Sequence, residues 1–584
     1  MIAFIAYRSR YAHLLALRDA GSIHEHSGQR IEAEVFPLLS GGVERSAKPR
    51  IRLPAIPIEV LLLAVSIWFA LTANSSLWRT LAEYGGDTLS ERVWVVASVT
   101  TIVVSSHWVF LLFVVPRCLA RVLLPLLMVA TAAAAYLMDA YGVYLDKGML
   151  RNVFETNVSE VGELVSNHRF LWHVLIFGIA PSVLVVLVPL KRYRVGRALL
   201  RRAVFILIAT IMTIGALWQA ARVLVPIVRE KKEIRYLVTP ANYLVAASRV
   251  LADRNHRDIS SRTIAAPDAF RDPPRASYKP KAFIVIVGET VRAENWGLNG
   301  YRRQTTPQLL RRQVVNFGNV QSCGTSTAVS LPCMFSFYGR KNYDEEKIRS
   351  SESVLHVLQR VGVATLWRDN QGGCKGVCDA LPFESISQTV AECRTGQCFD
   401  ERLLDGLAEK IQKSSGDTLI VLHMMGNHGP AYSLRYPIRF TRWAPVCTDV
   451  NLARCSNSSL INAYDNGIVY TDHVISMAID LLQTINSHET GLLFVSDHGE
   501  SLGERNVYLH GMPYVLAPDS QKQVPMVMWL SQPMERALGV DASCLRRTAK
   551  APRSHDDIPS TLLSIFQVKT AAYEPNFDLL SGCR

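Results

Sequence analysis

The chain has 584 residues, 49% of them hydrophobic and 19% charged, with 63 Lys and Arg against 50 Asp and Glu and a net charge of +13. So little charge excludes one large soluble protein, and 10 Trp, 20 Tyr and 20 Phe exclude a disordered chain. Of 11 cysteines, Cys118 stands alone while the other ten fall between Cys323 and Cys583. The two halves therefore differ in chemistry.

Residues 1–50 hold three His and several Arg but no apolar run long enough for a signal-peptide core. They read as a cytoplasmic extension of unknown role. Residues 51–223 read as a five-span transmembrane domain, with apolar stretches near 56–75, 93–115, 122–142, 170–190 and 203–223. Each is near the length that a hydrocarbon core of roughly 30 Å requires. The segment before the first span and the turns after the second and fourth hold eleven Lys and Arg; the loops after the first and third hold five. That bias predicts a cytoplasmic N-terminus, and an odd number of spans then puts the second half outside a bacterial inner membrane, in the periplasm. Residues 224–280 read as a connector, with an amphipathic stretch for the membrane surface followed by the extended linker "DAFRDPPRASYKPK".

The cysteines agree with that topology. Cys323/Cys333, Cys374/Cys378, Cys393/Cys398 and Cys447/Cys455 are close pairs, none spaced as a CxxC zinc knuckle, and in an oxidising compartment they read as disulfides. The spacing leaves open whether Cys544 and Cys583 form a fifth.

From residue 281 the pattern is α/β. Apolar strands are expected at 281–288, 363–368, 418–424, 491–496 and 524–529, with helices between them, for example at 400–413 and 464–485. In such sheets ligands sit beyond the carboxyl ends of strands. There the chain places Glu289-Thr290, Asn427-His428 and Asp497-His498-Gly499-Glu500. Glu, Asp and His are zinc-type donors. Asp472-His473, inside a helical pattern, reads as a solvated helix face, and His423 as packing at a strand end.

Five motifs then stand in order: "VGETVRAENWGLNGYRRQTTPQL" (287–309), "SCGTSTAVSLPCMFS" (322–336), "GCKGVCD" (373–379), "GNHGPAY" (426–432) and "FVSDHGESLGE…YLHGMPY" (494–514). Together they closely resemble the bacterial phosphoethanolamine–lipid A transferases, the group that includes the colistin-resistance enzymes, within the alkaline phosphatase/sulfatase-like superfamily. The resemblance covers about residues 50–584. It implies a five-helix membrane anchor followed by an α/β/α sandwich. It also implies zinc, one ion firmly and a second left open, held by Glu289, Thr327, Asp497 and His498, with Thr327 also the nucleophile. Thr325 and Ser326 are local rivals that satisfy backbone groups instead. His428, His510 and Lys375 match residues beside the zinc and substrate. Asn152, Thr156 and Glu160 share one helical face and match head-group-binding positions. "TSTAV" lacks the Cys or Ser followed by Pro and Arg that a sulfatase needs.

The resemblance implies transfer of phosphoethanolamine from phosphatidylethanolamine to a lipid A phosphate through a threonine intermediate, with resistance to polymyxin as the outcome. The alternative within the class is an acceptor on a core sugar, heptose or Kdo. A transporter is disfavoured because the spans carry almost no charge. Nothing in the sequence suggests a nucleic-acid partner.

Overall fold

A computed structural model describes residues 54–584 apart from 85–87, 156–167, 231–233, 235, 256–261, 274–277 and 387–397. Among the described residues four helices are long and apolar enough to cross a membrane: Leu89–Val114, Ala120–Tyr141, His168–Leu187 and Val195–Ala221. The expected first span is formed by a bent pair, Ile58–Thr72 and Ser75–Ala82, turned through 60°, which makes five spans if the pair is counted as one. At the bend the Asn74 side chain donates to the Phe69 and Thr239 carbonyls at 2.8 and 2.9 Å. Several hydroxyls of the spans are satisfied internally, as an apolar solvent demands, whereas neither nitrogen of the buried His107 ring has a hydrogen-bond partner among the described residues. Ser66, Thr100 and Thr101 donate to the carbonyl four residues back, and Ser105 meets Thr213 of another span at 2.7 Å. Only 17% of the apolar windows of His168–Leu187 and Val195–Ala221 is buried within the protein, which leaves their outer faces for lipid. The last of these helices runs on to Glu230, beyond the expected end of the spans.

The second half is built on an eight-stranded sheet of order β10-β2-β9-β6-β1-β5-β3-β4, with a separate β7–β8 hairpin. In chain order the strands are β1 (Lys281–Gly288), β2 (Val315–Gln321), β3 (Ala364–Asp369), β4 (Phe383–Ser385), β5 (Thr418–His423), β6 (Glu489–Ser496), β7 (Ser501–Leu502), β8 (Tyr508–Leu509), β9 (Gln523–Leu530) and β10 (Arg553–Ser554). β6, β1, β5, β3 and β4 are parallel, while β9 runs antiparallel to β6 and β2. Every residue of β1 and β5 is buried, because helices cover both faces. Phe283, Val285 and Val287 pack on one side with Leu331, Met334, Leu355 and Leu562. Their neighbours Ala282, Ile284 and Ile286 pack on the other with Leu460, Ile468, Ile475 and Ile479. Register brings Val287 beside His423 and Gly288 beside Ser496, so Glu289 and Asp497 emerge at one edge.

Two sequence expectations are corrected. The helix expected over 400–413 is broken into a 3-10 turn, Asp400–Leu404, and a helix, Leu407–Lys413, with Gly406 at φ 65° between them. Asp472 is fully buried. Its carboxylate accepts from the Gln308 and Leu309 amides at 2.9 and 2.8 Å, because the 293–312 segment lies over that face of the helix Asn457–Gln483.

Four disulfides lie wholly among the described residues: Cys323–Cys333, Cys374–Cys378, Cys447–Cys455 and Cys544–Cys583. Cys398 is also bonded, while Cys393 lies outside the described residues; Cys118 is free and exposed. The two halves touch where Tyr136, Tyr141 and Val143 pack with Tyr508 and Leu509, and Tyr141 donates to the Val450 carbonyl at 3.3 Å.

Candidate active site

Thr327 opens the helix Thr327–Met334, with Ser326 as its extended N-cap. The Cys323–Cys333 disulfide ties the far end of this helix to the loop before it. Three further bonds set its position. Ser330 Oγ donates to the Asp497 carbonyl at 2.5 Å, the Gly511 amide donates to the Thr325 carbonyl at 2.6 Å, and the Cys323 amide donates to His555 Nδ1 at 3.1 Å. His555 Nε2 meets the Ser496 carbonyl at 3.0 Å, which makes it the protonated nitrogen. One buried imidazole thus joins the nucleophile loop to the end of β6.

Held this way, Thr327 Oγ lies 3.0 Å from Glu289 Oε2 and 3.3 Å from His498 Nε2. His498 Nδ1 meets the Gly499 carbonyl at 2.9 Å, so the neutral ring carries its proton there and turns the Nε2 lone pair inward. That nitrogen faces Asp497 Oδ2 at 3.3 Å and Glu289 Oε1 at 3.4 Å. Asp497 Oδ1 takes the Thr290 and His498 amides. Asp497 Oδ2 and Glu289 Oε1, both fully buried, accept no hydrogen bond among the described residues.

Buried carboxylate oxygens left in this state are costly unless a cation meets them. Three oxygens and one imidazole nitrogen form a donor set suited to zinc. Glu289 also belongs to a second group, with His428 and His510, whose ligand atoms lie within 4.8 Å of one another. The residues therefore fit one metal ion and offer donors for a second.

Electrostatics repeat the point. Among the protein groups alone, burial and the nearby Asp497 charge push Glu289 up to about 7. Burial opposes charge on His498, yet Asp497 and Glu289 lift it to about 10. Burial, then the His498 charge, hold His510 well below the usual imidazole range. Its Nδ1 meets Glu500 Oε1 at 3.3 Å, the carboxylate–histidine pairing that orients a metal ligand.

The loop bearing His428 is fixed from below. Asp400 accepts the Met425 and Gly426 amides, and the Asn427 amide donates to the Glu289 carbonyl at 3.0 Å. Gly426 has φ 50°, and a Cβ there would stand 2.8 Å from that same carbonyl, so the approach requires glycine.

The structure brings together Glu289, Thr327, Asp497, His498, His428 and His510. Lys375 stands at φ 50° within the loop closed by Cys374–Cys378. Asn152 lies on the helix Lys147–Glu155; Thr156 and Glu160 fall outside the described residues. His423 packs beneath the site as expected, with Nδ1 2.7 Å from Asp369 Oδ1.

Sequence reasoning missed Gln371, whose Nε2 donates to Glu289 Oε2 at 3.2 Å. It also missed Asp369 and His555, and it gave Glu500 no role in orienting His510. Asp369 and Gln371 carry the same signal that marked Glu289 and Asp497, a position at or just beyond the carboxyl end of a parallel strand. His555 follows a two-residue strand and carries no such signal.

Comparison with known proteins agrees with this geometry. Residues 102–255 match the family described as phosphoethanolamine transferase EptA/EptB, and residues 281–568 match the sulfatase family. The phosphoethanolamine transferase EptA of Escherichia coli (strain K12) is 39% identical over 477 residues, covering 80% of this chain and 86% of that protein. The phosphatidylethanolamine transferase Mcr-1 of Escherichia coli is 38% identical over 467 residues, covering 77% and 84%. The structure of the integral membrane protein lipooligosaccharide phosphoethanolamine transferase A (EptA) from Neisseria meningitidis superposes with a TM-score of 0.86 at 32% identity, covering 91% of this chain and all of that one. With a membrane-spanning half, a sulfatase-type sheet and a threonine set among carboxylates and imidazoles, the chain belongs to the phosphoethanolamine transferase family.

Proposed function

We propose that this chain transfers phosphoethanolamine from phosphatidylethanolamine to a phosphate of lipid A through a covalent intermediate on Thr327. The observation that carries this reading is the placement of Thr327 Oγ at a helix N-terminus, 3.0 Å from Glu289 and 3.3 Å from His498. The names of Mcr-1 and of the Neisseria protein support the donor and the acceptor class.

Glu289, Thr327, Asp497 and His498 would hold zinc. Zinc, when bound, supplies the Lewis-acid charge that makes a threonine hydroxyl acidic enough to attack a phosphodiester. In the first half-reaction Thr327 Oγ bonds to the donor phosphorus as its proton leaves, with Glu289 Oε2 within proton-transfer reach. The bond from phosphorus to the glycerol oxygen breaks, and diacylglycerol departs with a proton. His428 and His510 hold phosphate oxygens during this exchange, and the amides at the start of the helix Thr327–Met334 stabilise the added charge. In the second half-reaction a lipid A phosphate oxygen attacks the same phosphorus, the bond from phosphorus to Thr327 Oγ breaks, and the threonine oxygen takes up the proton that the attacking phosphate gives up. Two transfers through one intermediate give ping-pong kinetics. Lys375 serves the substrate phosphate, and Asn152, Thr156 and Glu160 the ethanolamine end.

The reaction takes place outside the inner membrane, with the N-terminus in the cytoplasm. The basic bias of eleven residues against five and the disulfides support that placement. Added ammonium lowers the negative charge of the outer surface and weakens attraction of polymyxin and other cationic peptides. Mass spectrometry of intact lipid A from cells with and without the gene tests the reading. One added phosphoethanolamine on lipid A itself supports it; addition confined to heptose or Kdo replaces the acceptor.

A further inference from the structure

One carboxylate joins the two halves of the molecule beside the nucleophile. Glu345 opens the short helix Glu345–Ser350 and faces three cations. Lys147 Nζ lies 2.9 Å from its Oε2, the Arg151 guanidinium pairs with its Oε1, and Arg349 Nε stands 3.4 Å from the same oxygen. Lys147 and Arg151 belong to the helix Lys147–Glu155, which follows the second of the long membrane spans. Arg349 belongs to the catalytic half and donates its other nitrogen to the Ala328 carbonyl, next to Thr327. The helices are also in direct contact, since a Cβ built on Gly148 lies 3.6 Å from Val329 Cγ2.

Burial strengthens this arrangement. The Arg151 side chain is 1% exposed, and a guanidinium excluded from water is tolerated only beside a counter-charge. The carboxylate and its partners Lys147 and Arg151 belong to different halves, so these two ion pairs exist only while the halves are in contact. The closed state is thus the one that this carboxylate selectively stabilises. Asn152 is on the same helix, so closure sets the start of the nucleophile helix against the segment assigned to the donor head group.

We propose that Glu345 is a docking latch, a positioning residue that clamps the helix bearing Thr327 onto the membrane-side helix Lys147–Glu155 so that the nucleophile meets a lipid head group. The proposal rests on the reading of Thr327 as nucleophile and phosphatidylethanolamine as donor.

The test uses the full chain in phosphatidylethanolamine vesicles. Cysteines introduced by Gly148→Cys and Val329→Cys report closure through disulfide formation, read by mass spectrometry independently of activity. Diacylglycerol release reads the first half-reaction. Glu345→Gln is expected to slow closure and diacylglycerol release together, each by about tenfold. Glu345→Asp keeps the charge and most of both. Glu346→Gln, at the exposed neighbouring position, changes neither. Once the engineered disulfide has closed, release by Glu345→Gln should return to the level of the crosslinked parent, a rescue that general destabilisation does not give. Closure by Glu345→Gln at the parent's rate overturns the latch, as does a lost release that crosslinking fails to restore. Thr327→Ala separates the two readings: it should close normally and release no diacylglycerol. If it does release diacylglycerol, the nucleophile assignment fails, while the latch is still judged by crosslinking.

Discussion

Thr325 Oγ donates to the carbonyl of Met512 at 2.6 Å, a bond that spans 187 positions and occupies the nearest rival to the nucleophile. Two residues on, Thr327 Oγ has turned to Glu289 and His498. The two hydroxyls are chemically equal and differ only in what the fold places opposite them. We therefore expect Thr327→Ala to reduce transfer by more than about a thousandfold with normal expression. Thr325→Ala leaves a buried carbonyl unpaired, costing about 1–3 kcal/mol of stability, and keeps measurable transfer. Lipid A mass spectra at matched protein levels decide between them. Equal losses from the two variants remove the distinction.

Metal binding is expected to depend steeply on pH. Among the protein groups alone, His498 holds its proton up to about 10 and Glu289 up to about 7, so an incoming cation must displace those protons. The folded values are raised, hence protons are bound below them and released as pH rises through them. Apparent zinc affinity should climb by about one decade per pH unit above pH 7, and by more below it, where Glu289 adds a second proton. Competition with a chromophoric chelator between pH 6 and 8 measures the slope. An affinity that does not change with pH contradicts the donor set.

The parts of this fold that sequence exposes are those with a single physical cause. β1, β5 and β6 are buried on both faces, so they read as continuous apolar runs, and the chemistry at their carboxyl ends follows. β2, "VNFGNVQ", went unread because only Val315, Phe317 and Val320 face the core and an irregularity between Phe317 and Val320 interrupts their period. The 60° bend after Thr72 depends on Asn74 reaching Thr239, a partner 165 positions away. Thr327 could be told from Thr325 only by resemblance, because the discriminating partner, Met512, is equally remote. The buried face of Asp472 was misread for the same reason: helical periodicity shows polarity, not the segment that folds over it.

The disulfides make a chemical prediction. Nine of the ten clustered cysteines are bonded in the described structure, so under denaturing, non-reducing conditions thiol labelling of exported protein is expected at Cys118 alone. The Cys323–Cys333 bridge closes a short loop around the nucleophile. Replacing both residues with Ser should cost roughly 2–4 kcal/mol and depress transfer beyond that, because Thr327 loses its tether. Several labelled thiols in active protein argue against both the bridges and the oxidising compartment.

Asp472 gives a pH dependence of stability well away from the metal donors. Burial pushes its carboxyl up to about 7 against the pull of the Leu309 and Gln308 amides. A raised folded value means that the folded state holds the proton more tightly than the unfolded chain. Its contribution is therefore fully present below about pH 4, and it is lost as pH rises through about 7. Asp472→Asn stays neutral throughout. Whatever the amide costs in hydrogen bonding is a fixed offset, so the variant should gain on the parent by about 2–4 kcal/mol between pH 4 and pH 8. Thermal unfolding of both proteins across that range gives the difference directly. The gain should develop mostly between pH 5 and 7, because the 293–312 segment keeps water from this face of the helix Asn457–Gln483. A difference that stays flat with pH means that the two backbone amides already hold the carboxylate charged, and that burial is not the dominant influence on this residue.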